Sequence, residues 1–251
     1  MKTLLLGDSC KDIYIYGKCD RLCPAAPVPI FVPMETTTNA GMAGNVYENL
    51  LTLGLDVDFI TNSEDIKKIR YVDKKTNQMI VRVDEEVKKI SRIENLETID
   101  FSKYQSVVVS DYNKGFLLED DIEFICKNHP AVFIDTKKLL GEWCKDSLFI
   151  KINEYEYKTT KHLVKKWAAK KLIVTHGPGG CTHNKKKYSV PQVEVKNICG
   201  AGDTFLSGLV AEYEMSTNID SAIKFANECS TEVVQSLGVS LPNNFKGKYK
   251  K

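Results

Sequence analysis

Val107-Val108-Val109, Val132-Phe133-Ile134-Asp135, Leu148-Phe149-Ile150-Lys151-Ile152 and Leu172-Ile173-Val174-Thr175 are short apolar runs rich in β-branched residues, and they follow one another at intervals along the chain. Runs of this length read as buried strands, and helical periodicity from about Leu118 to Lys127 and from about Glu154 to Ala169 falls between them. Strand-then-helix units that repeat in this way imply a parallel sheet, covered on both faces and joined by right-handed crossovers. The class is therefore α/β.

Working outward, Leu4 to Leu6 forms a further strand ending at Gly7-Asp8, and Val28 to Val32 and Val57 to Thr61 form two more. A helix from Ala43 to Leu53 is closed by Gly54, a glycine at the position where helices stop. Ile69 to Asp73 and Gln78 to Asp84, separated by Lys74 to Asn77, alternate and turn like a β-hairpin with one polar face, suited to a flap. Two helices, Ala201 to Tyr213 and Ile219 to Leu237, precede a basic tail from Lys246 to Lys251 that reads as frayed. No repeat, low-complexity linker or boundary divides residues 1–251, so one domain is expected.

The chain of 251 residues is 43% apolar and 27% charged, which is too apolar for a disordered protein. With 35 basic against 33 acidic side chains, the net charge of +2 argues against wholesale binding to nucleic acid or an acidic membrane. A chain this long buries roughly 70–75% of its unfolded surface and needs no disulfide or structural metal. The first residues are apolar for too short a run to be a signal peptide, and no later run reaches the ~20 residues of a membrane span. A cytoplasmic location is expected. Eight scattered cysteines without a C-x-x-C read as reduced thiols, and the histidines at 129, 162, 176 and 183 lack metal-ligand spacing.

In open α/β sheets ligands collect at the carboxyl ends of strands. Asp8, Asp12, Asp111, Asp135, Lys137, Asn153 and Glu156 all follow strands closely. Gly200-Ala201-Gly202-Asp203-Thr204 stands at a helix entry, where glycines let a backbone approach an anion and unpaired N–H groups face it. A phosphate fits there. A carboxylate in the same turn would repel it, unless Asp203 takes a proton from the group attacking that phosphate. The alternative at this point is an Asp that caps a helix after a glycine turn.

Gly200-Ala201-Gly202-Asp203-Thr204 resembles the signature of the ribokinase-like (PfkB) carbohydrate kinases. Gly7-Asp8 with Asp12, Gly41-Met42-Ala43-Gly44-Asn45, Asn153-x-x-Glu156 and Phe225-Ala226-Asn227 follow in that family's order. Three segments resemble more narrowly its D-glycero-β-D-manno-heptose 7-phosphate kinases: Gly7 to Gly17 leading to Ala26-Pro27-Val28-Pro29, Arg82-Val83-Asp84-Glu85-Glu86, and Ser110-Asp111-Tyr112-Asn113-Lys114-Gly115.

The resemblance implies a three-layer α/β/α sandwich with a mostly parallel sheet and a small β-lid, formed by residues 12–33 and 68–85, which in relatives also pairs protomers into a homodimer. It implies a transferase that moves the γ-phosphoryl group of ATP to a sugar or sugar phosphate, foremost heptose 7-phosphate at its anomeric hydroxyl. The alternatives are a kinase for another sugar or a nucleoside, and a catalytically weak sugar- or nucleotide-binding protein. Asp203 would be the base, and Gly200, Ala201 and Gly202 the anion hole. Asp8, Asp12, Gly41, Asn45 and Asp111 would meet the sugar, with Arg82, Lys114 and Lys137 available to its phosphate. Asn153, Thr175, Gly177, Gly180 and Asn227 would meet the nucleotide, while Asn153 and Glu156 organise Mg²⁺ through water.

The chain also departs from the family. Asn197 and Cys199 replace an Asp and a Thr, and since that Asp position helps bind an activating monovalent cation in many members, the cation requirement is open. Met42 replaces a glycine of the sugar-binding turn. The usual Gly-x-Asp-x-x-Gly helix and the strand after it are missing between Ile60 and Ile69, so one sheet edge is expected to be trimmed.

Overall fold

Side chains of the central strands alternate between two apolar layers, which is why these strands are apolar at nearly every position. Leu4, Leu6, Val107, Val109, Ile150 and Ile152 enter one layer, while Leu5, Val108 and Phe149 enter the other. The computed structural model describes residues 2–85, 90–164 and 166–250. Glu86, the last residue of the Arg82-to-Glu86 segment, and Lys165 lie outside them, as do Met1 and Lys251.

The elements run β1 (Lys2–Gly7), β2 (Ser9–Leu22), β3 (Pro29–Met42), α1 (Ala43–Leu53), β4 (Val57–Thr61), β5 (Lys67–Asp73), β6 (Met79–Glu85), β7 (Tyr104–Asp111) and α2 (Glu119–Asn128). They continue with β8 (Val132–Thr136), β9 (Phe149–Asn153), α3 (Glu154–Thr160), β10 (Leu172–Thr175), β11 (Cys181–His183), β12 (Lys186–Tyr188), α4 (Ala201–Ser216) and α5 (Ile219–Val233). An eight-stranded sheet has the order β12-β11-β10-β9-β8-β7-β1-β4. It is parallel from β4 to β10, and the β11–β12 hairpin is antiparallel at the far edge. Helices α1, α4 and α5 cover the Leu5 side, and α2 covers the other. Among the described residues no helix is long and apolar enough to cross a membrane.

A second sheet has the order β3-β2-β5-β6. Its register sets Asp12, Lys68 and Asp84 side by side, and Tyr14, Arg70 and Arg82 beside them on the same face. The intervening positions, Ile13, Ile69 and Val83, then Ile15, Tyr71 and Val81, fall on the opposite face. One face is therefore charged and the other apolar.

Helix α1 has the bounds expected for it, because Gly54 adopts φ 101° and its N–H bonds back to the Leu50 and Leu51 carbonyls. The helix expected over Glu154 to Ala169 stops at Thr160 instead, where Oγ1 accepts from the Leu140 amide and Leu163 bonds the Thr160 carbonyl in a tightened turn. The basic tail is docked rather than frayed: Tyr249 and Phe245 pack edge-on against Phe225, and the Gly247 and Tyr249 amides bond the carbonyls of Thr52 and Leu53. Strand β4 is the edge of the large sheet, and residues 62–66 lead from it directly into β5.

Candidate active site

The carboxyl ends of β1, β7, β8 and β9 and the N-terminus of α4 bring the strand-end polar residues together. Gly200 precedes α4 with φ 81°, and a Cβ there would come within 2.7 Å of Asn45 Nδ2, so only glycine fits this approach. No side chain caps this helix end. Its dipole suits an anion, the Ala201 amide donates to the Ile198 carbonyl at 3.3 Å, and a cavity of about 520 Å³ lies beside the turn. Gly200, Ala201, Gly202 and Asp203 line that cavity, and so do Lys137, Asn153, Thr175, Gly177, Gly180 and Asn227.

Asp203 is buried in the first turn of α4. Its Oδ2 accepts from Asn45 Nδ2 at 2.9 Å and its Oδ1 from the Tyr112 hydroxyl at 2.7 Å. Burial pushes the carboxyl above its usual range, and these two hydrogen bonds oppose that rise without cancelling it. A buried carboxylate that is more basic than usual, beside an uncapped helix N-terminus, is suited to accept a proton.

Beneath the glycine turn, Lys151 Nζ donates to Asp135 Oδ2 at 2.6 Å, both side chains being buried. Burial alone would raise Asp135, but Lys151 and then Lys137 outweigh it and hold the carboxyl low. Lys137 donates to Glu156 Oε1 at 2.5 Å. Glu156 Oε2 accepts from the Asn153 amide at 2.8 Å and Asn153 Oδ1 from the Glu156 amide at 2.9 Å, a reciprocal cap on α3. These oxygens are hard donors already committed to internal partners. They fit Mg²⁺ held through water rather than by direct ligation. Among the described residues no group of three or more His, Cys, Asp or Glu side chains is placed to cage a metal.

On the other side of Asp203, Asp8 accepts from the Tyr112 amide at 2.7 Å, the Phe116 amide at 3.2 Å and the Lys114 amide at 3.4 Å. Asp8 thus holds the loop after β7. Asp111 is equally enclosed: Lys138 donates to both its oxygens at 2.7 and 2.8 Å, and Thr136 and the Asn113 amide donate as well. Asp12 pairs with Arg70 at 2.5 Å, and a Cβ at Gly41 would meet Asp12 Oδ2 at 2.6 Å. Arg82 is forked onto Asp84 at 2.6 and 2.7 Å on the charged face of the second sheet. Asn197 Oδ1 accepts from the Cys199 amide at 2.8 Å.

Several of these participants were not singled out from sequence. Lys151 carries its own signal, a charge within the apolar run Phe149-Ile150-Lys151-Ile152. Lys68 and Arg70 are signalled only weakly, by alternation with Ile69 and Tyr71. Tyr112 falls within the Ser110-to-Gly115 segment, which gives it no role of its own; its hydroxyl reaches Asp203 across 91 positions of sequence.

A family model described as pfkB family carbohydrate kinase matches residues 50–245. The chain belongs to the pfkB family of carbohydrate kinases. Among curated proteins it is similar to the bifunctional protein HldE of a Nitratiruptor species, 31% identical over 289 residues covering 95% of this chain and 62% of that protein. It is also similar to the bifunctional protein HldE of Helicobacter acinonychis, 30% identical over 96% of this chain and 64% of that protein. The chain thus spans a little under two thirds of the length of these curated relatives.

Among solved structures, phosphofructokinase-2 from Escherichia coli in complex with substrates and products superposes with a TM-score of 0.72 at 12% identity, covering 100% of this chain and 98% of that one. Arabidopsis thaliana ribokinase complexed with ribose and ATP gives 0.70 at 14% identity, covering 97% of each chain. The fold is ribokinase-like α/β, carried here by a chain of the pfkB carbohydrate kinase family.

Proposed function

We propose that this kinase transfers the γ-phosphoryl group of ATP to the anomeric hydroxyl of a sugar that already carries a phosphate, of the heptose 7-phosphate type. The observation that carries the reading is Asp203, buried and raised in basicity, in the glycine turn between the 520 Å³ cavity and the charged face of the second sheet. ATP lies in the cavity with its terminal phosphate on the Gly200–Gly202 amides. Asp203 takes the proton from the attacking hydroxyl as the new P–O bond forms and the bond to ADP breaks. Lys137 and Lys151 supply positive charge where negative charge accumulates. Mg²⁺, held through water by Asn153 and Glu156, screens the phosphates when bound.

The substrate phosphate is assigned to the cationic side chains of the second sheet and the β7 loop. Lys68 and Arg70 are buried on the sheet's charged face, Arg82 is exposed on the same face, and Lys114 on the β7 loop lies near enough to act on Asp84 there. Asp12 and Asn45 meet sugar hydroxyls. Residues 12–33 and 68–85 act as a lid, whose apolar face exposes Val81 and Val83 and suits burial against a second copy as a homodimer. ADP release measured over a panel of sugars and sugar phosphates tests the acceptor. Turnover on heptose 7-phosphate far above all others is expected, and turnover confined to unphosphorylated sugars contradicts the assignment.

A further inference from the structure

Tyr112 stands where the two halves of the site meet. Its amide is held by Asp8 Oδ2 at 2.7 Å, and its hydroxyl donates to Asp203 Oδ1 at 2.7 Å. The ammonium groups of Lys68, from the second sheet, and Lys137, from the β8 end, each lie 5.2 Å from its ring centroid. Backbone, ring and hydroxyl are thus each fixed by a different element. A phenol with its backbone anchored by one carboxylate and its hydroxyl spent on another is more than a loop residue filling space.

We infer that Tyr112 is a positioning residue for phosphoryl transfer: its hydroxyl holds the Asp203 carboxylate in one orientation and in its ionised form, ready to accept the sugar proton. This rests on the reading of Asp203 as the base. Carboxylate oxygens have room for more than one donor, so the sugar hydroxyl can join Oδ1 beside the phenol. Burial and the Asp203 charge push the Tyr112 phenol well above its ordinary value, so it remains a donor throughout the working pH range. The other titratable groups acting on Asp203 are Asp135, Lys151, Lys137 and Cys10, with Asn45 as the second hydrogen-bond donor.

The test is the pH profile of kcat/KM for Tyr112→Phe, which keeps the ring between its lysines and removes only the hydroxyl. Loss of a donor to the ionised form raises the carboxyl further, so the acidic limb moves to higher pH. On that limb kcat/KM falls by roughly 3- to 10-fold, the worth of about one net hydrogen bond, and the two profiles converge at alkaline pH. A uniform fall with an unmoved limb overturns the inference. An infrared difference spectrum between Tyr112→Phe and Tyr112→Phe/Asp203→Asn gives a second readout: a protonated-carboxyl band at mildly acidic pH is expected, and its absence counts against the role. Asp203→Asn measured in parallel separates the two readings. Near-normal turnover there removes the base itself, whereas an inactive Asp203→Asn with an unmoved Tyr112→Phe limb removes only Tyr112.

Discussion

The Lys151 ammonium lies 2.6 Å from Asp135 and 2.9 Å from the point where a Cβ at Gly202 would stand. The glycine turn and the buried ion pair therefore share one small volume. A methyl group added at Gly202 must push the ammonium off Asp135 or displace the turn. Gly202→Ala is expected to lower kcat by about 10- to 100-fold, the range for misplacement on the ångström scale, at an overpacking cost of about 1–3 kcal/mol. Steady-state kinetics alongside thermal unfolding checks both numbers.

Lys151→Met leaves Asp135 buried without its principal partner, and breaking such a pair costs about 3–5 kcal/mol. Lys151→Met/Asp135→Asn recovers part of the loss, because no unpaired charge remains. The sign with pH follows from the depressed Asp135 carboxyl. The pair's contribution is present above the ordinary unfolded value of about 3.9 and is lost as pH falls through the lower folded value. Urea unfolding of the wild type and Lys151→Met across acidic pH should show that dependence weakened in the variant.

Asp8→Ala removes the acceptor of the Tyr112, Lys114 and Phe116 amides at once. A buried donor left unsatisfied costs about 1–3 kcal/mol, so a stability loss of at least about 2 kcal/mol is expected. Hydrogen exchange at the Tyr112 and Phe116 amides should accelerate far more than in α5. Unchanged protection there would show that the loop is held by other contacts.

Val81 and Val83, 48% and 41% exposed, lie on the apolar face of the second sheet. Val81→Lys/Val83→Lys is expected to convert a dimer to a monomer by light scattering. A wild type that is monomeric at assay concentrations contradicts the pairing.

Much of the large sheet could be read from the sequence, because strands buried on both faces are continuous apolar runs and Gly54 marks a helix end. The second sheet was harder to read. Strand β2 shows no strict alternation over Ser9–Leu22, since Lys11-Asp12 and Asp20-Arg21 are adjacent charges around the run Ile13 to Tyr16, and the buried charge of Asp12 makes sense only once it is paired with Arg70 on β5. The β11–β12 hairpin turns through Asn184 and Lys185, both at positive φ, but Lys185 takes the place of the glycine that would normally announce such a turn. In the site, Asp203 and its glycines were visible because the motif is contiguous. The parts played by Tyr112, Lys151 and Arg70 were not, since their partners lie on other elements, Asp203 on α4, Asp135 on β8 and Asp12 on β2, and only tertiary packing joins them.

The most direct measurement is turnover and nucleotide binding by Asp203→Asn. ADP release should fall by at least ~10²-fold, the lower end of a general-base contribution, while ATP still stabilises the protein against heat. Near-normal ADP release in that variant would contradict the account.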